Sequence, residues 1–296
     1  MKQITLYAAK TTPTIELSSS ALYTPLTQQQ DASIGLVELF EGKTLQELAI
    51  PDNNTLALKI KHSVRNEPKQ DVIDAEVDTR LKGDETEEQM AAIEEEVYLQ
   101  AKRLAGVTHK TYMAFVNFNT NEILIDATRN TADEGIAFIL QNVIGNSSDC
   151  EFELFKQEAV LMEKLLTKYV VKEFTRPAPF ILGEVTKLGK KSELDKAPKS
   201  ATVSITKEYC ASEEVLNHTK AGKYVKLIEL DYDGIMSLQL DNTFFIKGVK
   251  YFESLNFKAD EDSADSVNFM TEYTDKLATI YDAVSILKGE LDKVSI

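Results

Sequence analysis

Between Ser212 and Val249 the pattern of hydrophobic positions changes period. Ser212 followed by Glu213 and Glu214 has the form of a helix start, with a hydroxyl ready to accept a backbone N–H. Val215 and Leu216 begin an apolar side, and Gly222 stands where a helix ends in a left-handed turn. Tyr224, Val225, Leu227, Ile228 and Leu230 then read as a strand. Asp233-Gly234 is a hairpin signal, because both central residues of the favoured tight turn need positive φ. Ile235, Met236, Leu238 and Leu240 return as a second strand, and Phe244, Phe245, Ile246 and Val249 as a third.

The rest of the chain reads less sharply. Ile4, Leu6 and Tyr7 suggest an edge strand. A short strand is expected over Gly35–Phe40, a brief helix over Thr44–Leu48, and an alternating strand over Thr55–His62. Two helices follow, the second over about Glu85–Leu104 with Met90, Ile93, Val97 and Leu104 on one face and glutamates on the other. Thr111–Phe118 and Glu122–Ala127 form a hairpin. Thr131 with Glu134 reads as a capping box that opens a helix ending near Gly145. Phe152–Tyr169 reads as helix-rich, Ala201–Lys207 as a strand, and Ala264–Leu291 as a long helix with apolar residues from Val267 to Leu287 at helical spacing. This order implies an α+β fold with antiparallel sheets and long helices. We divide the chain into a first α+β portion (1–70 with 105–170), an acidic helical extension (71–104), and a second α+β portion (171–296) ending in the C-terminal helix.

Composition narrows the class. At 296 residues with 43% hydrophobic and 27% charged content, the chain is long enough for one large domain or two modest ones. It has no apolar run of membrane-spanning length and no basic-then-apolar leader pattern. The two cysteines, Cys150 and Cys210, lack metal-type spacing, which fits free thiols in a reducing compartment. A cytoplasmic location is the expectation.

The net charge of −15 opposes indiscriminate nucleic-acid binding, because affinity for DNA comes largely from neutralised phosphates. The charge is uneven, however. Lys168–Lys226 holds twelve basic against seven acidic residues, and Asp71–Glu96 holds eleven acidic against two basic. One surface can therefore be positive while the remainder repels DNA; an acidic protein with an ordinary mixed patch has the same counts.

The chemistry is sparse. His62, His109 and His218 have no paired spacing, and no phosphate loop, metalloprotease or nucleophile-elbow motif occurs. Asp126, Asp231, Asp233 and Asp241 fall near strand ends, where a nuclease would hold metal, but aspartates are common in turns for local reasons. We expect no enzyme activity, no cofactor and no bound metal.

Ser212-Glu213-Glu214, Asn217-His218, Ala221-Gly222-Lys223, Val225 and Leu230-Asp231-Tyr232 together resemble the RdgC family of recombination-associated bacterial DNA-binding proteins. A weaker likeness includes Asn121–Ala127 and extends over about residues 71–290; the start, MKQITLYAAK, lacks the tryptophan and basic residues expected there. The resemblance implies a horseshoe-shaped monomer that pairs into a homodimeric ring around double-stranded DNA, without sequence preference, in association with the nucleoid and with recombination proteins. It carries a Lys-Gln pair facing the hole onto Lys207 and Glu208, where the second position is acidic. It carries an aromatic onto about His109, beside Lys110, with Lys102 and Arg103 just upstream. Lys187, Lys190, Lys191, Lys196 and Lys199 fit a basic loop, and Lys223 follows the helix stop. The alternative is an acidic protein-interaction or DNA-mimic module on the same fold with little DNA binding.

Overall fold

The computed structural model describes residues 1–51, 53–83, 85–172, 178–189, 202–255, 258, 260 and 263–294. In chain order the elements begin with β1 (Gln3–Ala9), β2 (Ala32–Val37), β3 (Leu45–Ile50), β4 (Asn53–Arg65), α1 (Gln70–Arg80), α2 (Glu87–Leu104), β5 (Val107–Asn117), β6 (Glu122–Ile125) and α3 (Arg129–Asn142). They continue with β7 (Phe152–Leu154), α4 (Ala159–Val170), β8 (Phe180–Gly189), β9 (Val203–Thr206), α5 (Glu213–Lys220), β10 (Tyr224–Tyr232), β11 (Met236–Asp241), β12 (Ile246–Tyr251) and α6 (Asp265–Val294).

The strands pair in the order β2-β4-β5-β6-β1-β12-β11-β10-β8-β9, with β3 beside β4 and β7 beside β1. Every pairing between these strands is antiparallel, so the α+β expectation holds. The Asp233-Gly234 turn is as expected: φ is 53° and 65° at its two central residues, and Tyr232 pairs with Met236 across it. The register β10–β11–β12 confirms the meander.

Strand alternation divides the side chains between two cores. On one face Ile4, Leu6, Phe115, Leu124, Leu188, Ile228, Leu238, Leu240 and Ile246 belong to a cluster completed by α4 and α6. On the other face Tyr7, Leu58, Ile60, Ala114, Ile123 and Ile125 pack with Ala132, Ile136 and Ile139 of α3. In α6, Leu277, Ile280, Val284, Leu287 and Leu291 are 0–3% exposed at helical spacing. Each such side chain contributes about 1.5–3 kcal/mol on burial. This long helix lies against β3, and its Tyr273 ring is 5.7 Å from Phe115.

Helices α1 and α2 pack on each other through a satellite cluster of Ile73, Val77 and Val97. Thr86 and Gln89 form a reciprocal capping box at the start of α2. The base of this hairpin is tied down by Arg65, which is 7% exposed. Its guanidinium donates to the carbonyls of Thr27 (2.9 Å), Gln30 (3.3 Å), Arg103 (2.8 Å) and Ala105 (3.2 Å). The far end of the expected apolar face of α2 fails: Leu104 is 85% exposed.

Several local expectations are corrected. The first strand is not at an edge: β1 lies between β6 and β12. Thr44–Leu48 is not helical; β3 pairs with β4 from Leu45↔Leu58 to Ile50↔Asn53, and this tertiary pairing fixes the segment as extended. The segment Phe152–Tyr169 opens as strand β7, and its helix starts only at Ala159. Helix α3 starts at Arg129 with Thr128 as N-cap, so Thr131 lies inside it. Ser212 is the N-cap of α5, but its hydroxyl makes no cap hydrogen bond. The strand expected to reach Lys207 ends at Thr206. Cys150 and Cys210 are both buried and free.

Candidate nucleic-acid interface

The expected contact residues fall on different surfaces. His109 and Lys110 are neighbours on β5, so they leave the sheet on opposite faces. His109 pairs with Ser63, and its Nδ1 lies 2.7 Å from Ser63 Oγ; that oxygen is in turn 2.7 Å from the Tyr23 hydroxyl. Lys61 on the same face holds its ammonium 4.7 Å from the centre of the Tyr23 ring. Ser63 is 0% exposed, so this chain of hydroxyls orients the imidazole and does not present a nucleophile. Lys110 reaches the α3 side, where its ammonium donates to Thr131 Oγ1 at 3.4 Å.

Lys102 is engaged elsewhere. Its ammonium pairs with Glu67, which also accepts a 2.7 Å hydrogen bond from the Tyr98 hydroxyl. Lys102 first, and then Tyr98, hold the Glu67 carboxyl below its ordinary value; Glu67 in turn raises the Lys102 ammonium. Arg103 is exposed at the end of α2, and its carbonyl is one of those bound by Arg65.

Lys207 sits in a turn after the edge strand β9, exposed, with φ of 62°. That conformation costs a non-glycine residue about 1–2 kcal/mol. Glu208 beside it is also exposed. Lys223 follows the left-handed Gly222, and its backbone N–H closes α5 on the His218 carbonyl at 3.1 Å. Lys190, Lys191, Lys196 and Lys199 lie outside the described residues.

Two of the expected lysines do share a face. Leu188 points into the α4–α6 core, so Lys187 points away from it; Met113 and Phe115 point into that core, so Lys110 points away too. Between them the same face carries Lys247, which pairs with Gln3 on β1 and with Gln239 on β11. Ile246, Ile4, Leu238 and Leu240 occupy the core side, which leaves Lys247, Gln3 and Gln239 on the face with Lys187. Three strand steps separate β12 from β8 and three separate it from β5. At about 4.8 Å per step the lysine row extends laterally over roughly 28 Å. Lys247 and the two glutamines were missed in the sequence; the polar residue following Ile246 in an alternating strand was the available signal. Arg129 stands near this row at the start of α3, donating to Thr243 Oγ1 at 3.2 Å with its guanidinium 5.7 Å from the Phe245 ring.

The aspartates near the strand ends have local partners. Asp126 accepts from the backbone N–H groups of Lys2 (2.8 Å) and Gln3 (3.1 Å). Asp231 accepts from Gly234 N in the hairpin, and Asp241 accepts from the backbone N–H groups of Thr243 and Phe245. Among the described residues, no group of three or more His, Cys, Asp or Glu side chains has a metal-binding arrangement. No helix among them is long and apolar enough to cross a membrane.

A family model described as "Putative exonuclease, RdgC" matches residues 1–285. The chain belongs to the RdgC family. It is also similar to the "Recombination-associated protein RdgC" of Actinobacillus succinogenes, 22% identical over 147 residues. That match covers 50% of this chain and 45% of the relative, so the chain spans about half the length of the curated relative it matches.

Proposed function

We propose that the protein binds double-stranded DNA without sequence preference, as a homodimeric ring of horseshoe-shaped subunits that modulates recombination at the nucleoid. The observation that carries this reading is the row Lys110–Lys247–Lys187 on one sheet face, interleaved with Gln3 and Gln239. This sheet face, covered in part by α3 and carrying Glu229 opposite Gln239, offers spaced ammonium and amide groups that suit the phosphate backbone, and the described residues place no recognition helix there to read base edges. The row's lateral reach of roughly 28 Å is comparable to one turn of B-DNA, about 34 Å. Family membership and the relative's recombination-associated name support the same reading. A closed ring needs a second copy, and two-fold pairing is the commonest way to supply one. In this reading the acidic hairpin α1–α2 is an extension inserted within the first α+β portion, and the protein is not an enzyme.

The test is a gel shift of long duplex DNA of mixed sequence, at low and at moderate salt. About four to six phosphate contacts give a log–log salt slope of roughly −4 to −5. Light scattering on the same samples is expected to report a dimer. No shift at about 50 mM salt removes the reading and leaves the acidic interaction module in its place. Incubation of linear DNA with Mg²⁺ or Mn²⁺ is expected to leave it intact; metal-dependent cleavage lost on Asp126→Ala or Asp231→Ala would make the protein a nuclease.

A further inference from the structure

On the core side of the second half of the sheet, α4 packs across β10, and a groove of about 840 Å³ opens between α4 and α5. Four lysines line it: Lys164 and Lys168 from α4, Lys220 at the end of α5, and Lys223 just beyond. No carboxylate is among the described lining residues, in a chain that carries 48 acidic against 33 basic side chains. The acids of both helices are turned elsewhere. Glu163, the single acid of α4, is 0% exposed and accepts from Asn242 Nδ2 at 2.7 Å. Glu213 and Glu214 belong to the first turn of α5, about 9 Å along the axis from Lys220.

Helix ends explain only part of this. Lys168 and Lys220 sit in last turns, where a cation favours the helix dipole. Lys164 is mid-helix and exposed, and Lys223 lies past the helix stop. Between the lysines, Val171, Leu216 and Tyr224 form a half-buried apolar floor, and the hydroxyls of Thr167 and Thr219 beside it are bonded to backbone groups. Lysine stems extend such a surface while keeping their ammonium groups in water.

We propose that this groove binds an acidic peptide segment with large apolar anchors, presented by a partner protein. Charge complementarity selects an acidic occupant, and the apolar floor selects one that has more than charge to offer. A DNA duplex brings phosphate and sugar and leaves that floor uncovered, whereas a peptide of alternating acids and leucine or phenylalanine covers both. The groove also opens on the opposite side of the sheet from Lys187 and Lys247, because α4 and Val215 of α5 pack into the core on the other face from those lysines. The two sites are therefore independent.

The probe is a fluorescein-labelled peptide of about ten residues built from Glu, Asp, Leu and Phe, followed by fluorescence anisotropy on the full chain. A control peptide keeps every acid and replaces Leu and Phe with Ser; a short labelled duplex forms a third arm. The acidic–apolar peptide is expected to saturate and the serine control to bind at least about tenfold more weakly. The double variant Lys164→Glu/Lys220→Glu is expected to weaken the peptide at least about tenfold, with duplex binding within about twofold of the unaltered chain. Both positions are exposed, so the melting temperature should hold; Lys164→Gln/Lys220→Gln is expected to give an intermediate loss. Four results overturn the proposal: no peptide binding at about 100 μM protein, equal binding of the two peptides, competition by the duplex, or self-association that is lost in the charge-reversed variant while peptide binding is not.

Discussion

Gln3 of β1 and Lys247 of β12 are register partners, and only one other pair, Ile4 with Ile246, accompanies them where these two strands meet. This short ladder joins the α3-covered half of the sheet to the meander, and it brings Lys247 onto the face that also carries Lys110 and Lys187. The sheet's continuity and the proposed DNA surface therefore share one structural feature.

Lys247→Glu is expected to weaken duplex binding for all sequences alike and to make the salt slope shallower by about one. Lys247 is half-buried on the side away from the core, so urea unfolding should change by less than about 0.5 kcal/mol. Gel shifts over a salt series on two unrelated duplexes check this. An unchanged slope would place the contact elsewhere.

The neighbouring pair tests the joint itself. Ile246 is 2% and Ile4 3% exposed, both in the main core. Ile246→Ala is expected to cost about 2–5 kcal/mol, the range for truncating a buried isoleucine. Urea denaturation followed by circular dichroism gives the value. A cost below about 1 kcal/mol would mean that the two halves of the sheet do not depend on this contact.

Arg65 tests how the helical hairpin is held. Its guanidinium serves carbonyls from residues 27–30 and from the end of α2, so it ties two loops to the end of β4. Arg65→Met keeps much of the apolar stem and removes every donor. The expected loss is about 2–3 kcal/mol, with carbonyls left short of partners. Amide hydrogen exchange should rise first at residues 101–106 and 27–31. Uniform exchange across the sheet instead would indicate that the anchor is not local.

How much of this was legible beforehand depends on the range of the forces involved. The hairpin at Asp233-Gly234 and the helix through Leu277, Val284 and Leu287 were readable because turn chemistry and helical period are local. Strand β3 was not, because Leu45 and Leu48 sit three apart and only pairing with Leu58 and Thr55 fixes them as extended. The same limit applies to the candidate surface. Lys110 and Lys187 were readable as basic residues, but register decides that they share a face with Lys247 while His109 does not. Lys102 read as a candidate contact only while its partner Glu67 was unknown.

Glu67 gives the last prediction, a pH dependence confined to the hairpin base. Its carboxyl is held below the ordinary value of 4.5, first by Lys102 and then by the Tyr98 hydroxyl. A carboxylate whose folded pKa is depressed adds stability that is present above its unfolded pKa and is lost as pH falls through the folded one. Hydrogen-exchange protection of α2 is therefore expected to be constant from about pH 7 down to about pH 5 and to fall below that, after correction for intrinsic exchange rates. Glu67 is exposed, so the effect is small and should shrink further at high salt. In Glu67→Gln, protection at neutral pH starts lower and the acid-side fall is reduced. If the variant keeps the full pH dependence, another of the hairpin's many carboxylates sets it, and Glu67 does not act as a clasp on α2.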